Sequence, residues 1–302
     1  MTKTRKMREL LASPGLLLLP GVGDALGALI VQEAGFDALT ISGHNIAATY
    51  GLPDLGLLTM TEMVRRAAII AEAVTIPVRA DADTGYGNAI NVYRTVREFE
   101  RAGVAAIHLE DQVSPKRCGQ LTGKSVIPLE EMVGKIHAAV DARTDPDLVI
   151  FARTDSMHTH GIEEVIRRGQ AYEKAGADVI QVITHRGPRM LDDLRILCPA
   201  FGKPLSIDLS EAGTRPIAPF GDLASTGLKV ASLPLTLGLF TATTAMRQAA
   251  REIRQFGLEG LRSVMERNDS WDSVEDLIGL NRINDLSMRY GTQAIAEQIK
   301  TK

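Results

Sequence analysis

Cysteine is scarce: Cys118 and Cys198 are the two in a chain of 302 residues. A disulfide framework is excluded, and a reduced cytoplasm is the compartment such usage fits. Aromatics make up only 4%, which leaves no stacking surface for single-stranded nucleic acid. There is no basic block and the formal charge is −3, so nucleic acid is not an expected partner. No apolar run approaches the ~20 residues that span a bilayer, so a membrane is not expected either. Lys3, Arg5, Lys6 and Arg8 ahead of Leu16-Leu17-Leu18-Leu19 imitate a secretion signal. The run is shorter than the roughly 7–15 apolar residues such a signal needs, and Pro20-Gly21 ends it, so the stretch reads as a helix followed by a buried strand. Also missing are a G-x-S-x-G elbow, a P-loop, a Cys/His zinc spacing and a strand-end lysine placed for a Schiff base.

What is present is a large apolar fraction, 45%, with 24% charged residues, enough to bury a sizeable core. No Pro/Gly/Ser linker divides the chain. Short apolar runs alternate with amphipathic stretches from end to end, the signature of repeated βα units. The runs at 16–19, 38–41, 78–81, 105–110, 148–152, 179–182, 205–207 and 228–232 read as strands. Helices are expected at 25–34, 61–74, 89–102, 129–142, 163–175, 190–198, 220–226 and 238–256. Ala102-Gly103-Val104-Ala105 and Ala175-Gly176-Ala177-Asp178 echo each other as a helix end, a glycine stop and a new strand.

Eight such units close into a (β/α)8 TIM-type barrel. The competing arrangement is an open doubly wound sheet. Its one lure is Gly21-Val22-Gly23-Asp24-Ala25-Leu26-Gly27, whose third glycine falls one place late for a dinucleotide fingerprint. A tight βα turn suits it better. The expected division is a catalytic barrel over 1–256 and a helical extension over 257–302. The extension either covers an active-site mouth or packs on a neighbouring subunit.

In a barrel, catalytic side chains stand at the carboxyl ends of strands. The third strand ends in Asp81-Ala82-Asp83, with both carboxylates on one side of an extended segment. Like charges so close need a compensating cation, and a hard divalent ion with oxygen ligands answers that need. The alternative is an Asx-turn pair capping the next helix. Glu110, at the end of the next strand, adds a third carboxylate and favours the metal, while His108 reads as a hydrogen-bonded core residue. The loop Ser114-Pro115-Lys116-Arg117-Cys118-Gly119 follows, with cations that favour a thiolate and attract an anion, or simply a solvated loop. Arg153 at the fifth strand end either clamps a substrate carboxylate or pairs with a barrel acid. Ser42-Gly43-His44, with backbone N–H groups for an anion, and Asp54 at the metal's outer shell complete the candidates.

On Leu18-Leu19-Pro20-Gly21, Gly51-Leu52-Pro53-Asp54-Leu55-Gly56, the Asp81–Asn88 stretch, Leu109-Glu110-Asp111-Gln112 and Pro115-Lys116-Arg117-Cys118-Gly119, the chain resembles the isocitrate lyase/phosphoenolpyruvate mutase superfamily. The likeness runs from about residue 8 to 256 and is strongest to its 2-methylisocitrate lyase and dimethylmalate lyase branch. The resemblance implies magnesium, with manganese as a substitute, at Asp54, Asp81, Asp83 and Glu110. It implies substrate contacts from Ser42, Gly43, His44, Arg117, Gly119, Arg153 and Asp208, and catalytic roles for Cys118, Lys116 and Arg153. It implies a homotetramer that exchanges a C-terminal helix. Cys118 would protonate the departing enolate, which points to carbon–carbon cleavage of a 2-hydroxy di- or tricarboxylate.

Four positions depart from the lyase pattern: Gln120 for a histidine, Ile183 near His185 for an acid, Asp208 for an asparagine and Thr40 for a tyrosine. Gly176-Ala177-Asp178 and Val133-Gly134-Lys135-Ile136 look like the oxaloacetate decarboxylase branch. Decarboxylation, phosphonopyruvate-type mutase or hydrolase chemistry, and ligand binding without turnover are the alternatives.

Overall fold

The apolar runs become eight strands in the computed structural model, which describes residues 1–119, 121–185, 187, 189–209 and 218–291. They are β1 (Leu17–Val22), β2 (Leu39–Ile41), β3 (Val78–Asp81), β4 (Ala106–Glu110), β5 (Val149–Thr154), β6 (Val179–Val182), β7 (Leu205–Asp208) and β8 (Val230–Leu233). Each pairs in parallel with the next, and β8 returns to β1, closing the expected (β/α)8 barrel. β1 extends past the proline that was expected to end it. Its first half pairs with β8 up to Pro20, and Gly21 and Val22 pair with β2. A Cβ on Gly21 would fall 2.2 Å from the Pro234 carbonyl oxygen, so only glycine fits beside the residue that follows β8. The glycine-rich stretch is the tight βα turn: Asp24 caps helix Ala25–Glu33 by accepting from Gly27 N–H.

Helices Met60–Ala73, Ala89–Arg101, Leu129–Ala142, Ile162–Lys174, Arg189–Leu197 and Phe220–Ser225 follow β2 to β7. Met60–Ala73 shows how they form. Thr59 and Glu62 make a capping box, and Met63, Ala67, Ile70 and Ala71 repeat at helical spacing and are buried. Pro199 turns the end of the fifth of these into a 3-10 turn over Cys198–Ala200.

Two ends of the barrel interior differ. The first residues of β1, β5, β6 and β8 (Leu17, Val149, Val179 and Val230) pack with Met7 of helix Lys3–Ala12. That plug is apolar. At the carboxyl end the inward positions are polar, and the register sets them level: Thr40 beside Arg79, Asp81 beside His108, Glu110 beside Arg153, and Arg153 beside Gln181. The parallel ladder therefore delivers all of them to one floor.

A second unit begins at Ala242. Helix Ala242–Phe256, grouped with the barrel on sequence grounds, belongs to it, with Leu258–Arg267, Trp271–Leu277 and Leu280–Tyr290. Its first two helices touch closely at Gly260, where a Cβ would fall 2.3 Å from the Glu252 carbonyl oxygen. Arg267 pairs with Glu252 across them at 2.6 Å. Met246, Phe256, Leu258, Met265 and Trp271 of this unit are exposed. Among the described residues no helix is long and apolar enough to cross a membrane.

Candidate active site

Asp81 ends β3, and three groups hold it. Its Oδ2 accepts from Gly43 N–H (3.1 Å), its Oδ1 accepts from Asp83 N–H (3.0 Å), and His108 Nε2 stands 3.0 Å from Oδ1. The Asx-turn is thus real, and it serves to aim two carboxylates together. A Cβ on Gly43 would lie 2.8 Å from Asp81 Oδ2 and 3.7 Å from Asp83 Oδ1, so glycine is what admits both acids. The backbone beyond is strained: Asp83 and Tyr86 adopt φ of 46° and 59°, a conformation costing about 1–3 kcal/mol each that clusters at functional sites. Tyr86 Oη reaches Asp83 Oδ2 at 3.5 Å.

Lys116 is the hub of this acid cluster. Its ammonium, 5% exposed, contacts Asp54 Oδ1 at 2.6 Å and Asp83 Oδ1 at 2.9 Å. Burial alone would lower its pKa, but Asp83, Asp81, Asp54 and Glu110 together hold it well above the usual lysine value. The acids separate in the same field. For Asp81, burial is outweighed by His108, Lys116 and Arg153, and the carboxyl stays well below the ordinary range. For Asp83, burial prevails over Lys116 and its pKa rises. Glu110, 1% exposed, is pushed well up by burial despite Arg153. These opposed environments are the mark of a functional site.

The donor set fits a hard divalent ion. Asp83 Oδ1 and both carboxylate oxygens of Glu110 are buried without an aligned hydrogen-bond donor among the described residues. Lys116 Nζ and Arg153 Nη1 lie 2.9 Å from Asp83 Oδ1 and Glu110 Oε2, and carboxylate oxygens of this kind are the ligands a magnesium-sized cation takes. A second cluster lies beside it: His44, Asp54 and Cys118 bring one nitrogen, one oxygen and one sulfur within 4.8 Å of one another. That mixed set suits a softer ion, and its oxygen is already bonded to Lys116.

A cavity with about 520 Å³ of empty space, part of it continuous with solvent, opens over this floor. Ser42, His44, Asp54, Asp81, Lys116, Cys118, Gly119, Arg153 and Asp208 all line it. Gly43 and Asp83 line a hollow alongside, and Glu110 lies beneath, 2.9 Å from Arg153 Nη1. Cys118 Sγ is 3.6 Å from His44 Nδ1. Burial lowers the His44 pKa, with Lys116 adding to it against the pull of Asp54, so its imidazole is neutral near pH 7. The Cys118 N–H donates to the Asp54 carbonyl at 3.1 Å, tying the thiol's loop to the acid cluster.

Some expected partners differ. Gly43 N–H does hold a carboxylate, but the protein's own Asp81. Ser42 Oγ caps its helix by accepting from Asn45 N–H. Arg153 spends Nε and one Nη2 hydrogen on Asp155, at 2.8 and 3.1 Å, and its Nη1 lies 2.9 Å from Glu110, so the pairing with barrel acids is present even though the side chain lines the cavity. Arg117 is exposed and stands outside the lining; its backbone bonds Gln112 instead. Gln120 lies outside the described residues. Asp155, Lys124, Arg79, Gln181, Pro234 and Leu235 are the groups the sequence reading passed over. Asp155 sat two places beyond Arg153, and that spacing was its one signal.

The family model of phosphoenolpyruvate phosphomutase matches residues 7–254. The chain is 42% identical to 2,3-dimethylmalate lyase of Eubacterium barkeri over 97% of this chain and 99% of that protein. It is 42% identical to 2-methylisocitrate lyase of Shewanella oneidensis, over 83% of each. A structure of phosphonopyruvate hydrolase with oxalate and magnesium superimposes with a TM-score of 0.88, at 32% identity, over 97% of this chain and all of that one (100%).

Proposed function

The chain belongs to the phosphoenolpyruvate phosphomutase family, and from that premise we propose that it is a magnesium-dependent carbon–carbon lyase. Its substrate is a 2-hydroxy acid with a second carboxylate on the neighbouring carbon, of the substituted-malate or 2-methylisocitrate type named for its relatives. The observation that carries this reading is a buried thiol, Cys118, on the same cavity as Asp54 and Asp81, with the buried carboxylate of Asp83 in the adjoining hollow. Cleavage leaves a carbanion that must be protonated, and a buried thiol on the cavity is a group that can do it.

Asp81, Asp83 and Glu110, with Asp54 at the margin, would hold the magnesium, and manganese would substitute. The ion supplies electrostatic stabilisation of the oxyanion that develops beside the substrate carboxylate. His44, neutral and on the lining, accepts the 2-hydroxyl proton as the C–O bond becomes C=O. The C2–C3 bond breaks, and its electron pair stays with C3. The Cys118 thiol gives its proton to C3. The proton on His44, 3.6 Å from sulfur, then returns to the thiolate, so the cycle leaves both groups as they began. The Nη2 hydrogen of Arg153 not given to Asp155 orients a carboxylate, and the Lys116 ammonium fixes Asp54 and Asp83.

The products are a 2-oxo acid and a second carboxylic acid. The reaction fits a cytoplasmic enzyme of carboxylic acid metabolism, and the exposed apolar side chains of the C-terminal helices support a homotetramer. Magnesium-dependent pyruvate formation from 2-methyl-substituted substrates tests the reading.

A further inference from the structure

Substituted malates and 2-methylisocitrate share the bond that breaks. They differ at one substituent: an alkyl group in the former, a carboxymethyl group in the latter. The cavity does not treat these alike. Asp208, at the end of β7, lines it. Its Oδ2 accepts from Gln181 Nε2 at 3.1 Å and lies 3.9 Å from Arg153 Nη1. Its Oδ1 stands 3.7 Å from Arg79 Nη2 with no hydrogen-bond partner among the described residues.

Arg79 is engaged through Nε, Nη1 and its planar face, with Nη2 turned to Asp208. Nε donates to Thr40 Oγ1 (3.1 Å), Nη1 to Gln181 Oε1 (3.2 Å), and the guanidinium lies over Phe151 at 5.2 Å. Arg153 already faces Asp155, Glu110 and Asp208. Each guanidinium on the lining thus has a carboxylate of the protein against it, and Lys116 has two. A substrate with two carboxylates has the metal site and, on Arg153, the Nη2 hydrogen not given to Asp155 to receive them. A third meets the carboxylate of Asp208, in a buried setting that screens like charges weakly. The other groups of that wall, Ile183, Pro234 and Leu235, are apolar and suit an alkyl substituent.

We propose that Asp208 makes this cavity selective for alkyl-substituted 2-hydroxydicarboxylates over tricarboxylates, an inference that rests on the lyase reading above. Its test pairs 2-methylsuccinate with tricarballylate, unreactive acids that differ by the same methyl-for-carboxymethyl exchange. Binding of each to the magnesium-loaded wild type and to Asp208→Asn is measured by calorimetry. In parallel, kcat/KM is measured on 2,3-dimethylmalate and 2-methylisocitrate.

The wild type is expected to bind 2-methylsuccinate about ten-fold or more tightly than tricarballylate, with the same preference in kcat/KM. Asp208→Asn, which keeps the shape and removes the charge, is expected to move both ratios toward the tricarboxylate by about ten-fold. A wild type that takes tricarballylate equally well or better overturns the proposal, whatever the variant's stability. So does a folded Asp208→Asn whose ratios are unmoved. The expected binding preference with no pyruvate from either hydroxy acid supports selection by Asp208 and overturns the lyase reading alone.

Discussion

Lys116→Met removes the ammonium that lies 2.6 Å from Asp54 and 2.9 Å from Asp83. Both carboxylates are under a tenth exposed, so water cannot replace it. Breaking a buried pair by deleting one partner costs about 3–5 kcal/mol, because an uncompensated charge stays behind. For a domain of this size each kcal/mol moves Tm by about 2–4 °C, so the variant should melt roughly 6–20 °C lower in the presence of a chelator. The lysine's folded pKa lies above its ordinary value. Its contribution is therefore whole at every pH below about 10, and is lost only as pH rises through the higher folded value. The deficit should accordingly be flat across neutral pH. Saturating magnesium, which shares these acids in the proposed site, should recover a large part of the loss by binding the folded state. Thermal unfolding of wild type and variant, with chelator and with magnesium, reads both effects. A variant as stable as wild type in chelator refutes the hub role of Lys116. A deficit that magnesium leaves untouched refutes the shared site.

Cys118→Ser should lower turnover by about 10²-fold or more while magnesium affinity, measured by calorimetry, stays near that of the wild type; unchanged turnover would remove the thiol from the proton cycle. Asp155 is fully buried between Arg153 and Lys124, and although burial opposes ionisation these cations hold its pKa at about 2. A depressed carboxylate contributes stability that is present above its ordinary pKa and lost as pH falls through the folded one, a difference of roughly 2 kcal/mol here. Asp155→Asn should therefore lose at least that much at neutral pH, and the gap to wild type, read by urea unfolding, should narrow between about pH 4 and pH 2. A gap independent of pH would contradict the assignment.

Much of the barrel was legible because its units are local. Each apolar run, glycine stop and amphipathic stretch announces one βα step, and parallel pairing makes the closure. Strand-end acids were legible for the same reason: a residue at the last position of β3 or β4 has one place to go, and Asp81 and Glu110 go there. What the sequence hid was pairing across distance. Gly43 N–H belongs to Asp81, thirty-eight positions on, and nothing local says that a backbone donor read as a substrate contact is already engaged. Arg153 presented the same ambiguity, and Asp155, two places on along the chain, resolves it by taking Nε and Nη2. Arg117 and Lys116 are neighbours of equal charge, yet one faces solvent and the other is buried; the direction of a loop side chain has no periodicity to reveal it. The break at Ala242 was missed because the preceding π-helical turn, Thr236–Thr241, reads in sequence as the same helix.

Product analysis tests the central claim most directly. The purified protein is incubated with magnesium and, separately, with a chelator, on 2,3-dimethylmalate, 2-methylisocitrate, other substituted malates and oxaloacetate, and the products are identified by mass spectrometry. The account predicts magnesium-dependent pyruvate together with a second carboxylic acid from a substituted 2-hydroxy acid, and none in chelator. Carbon dioxide and pyruvate from oxaloacetate alone, with every hydroxy acid untouched, would contradict it.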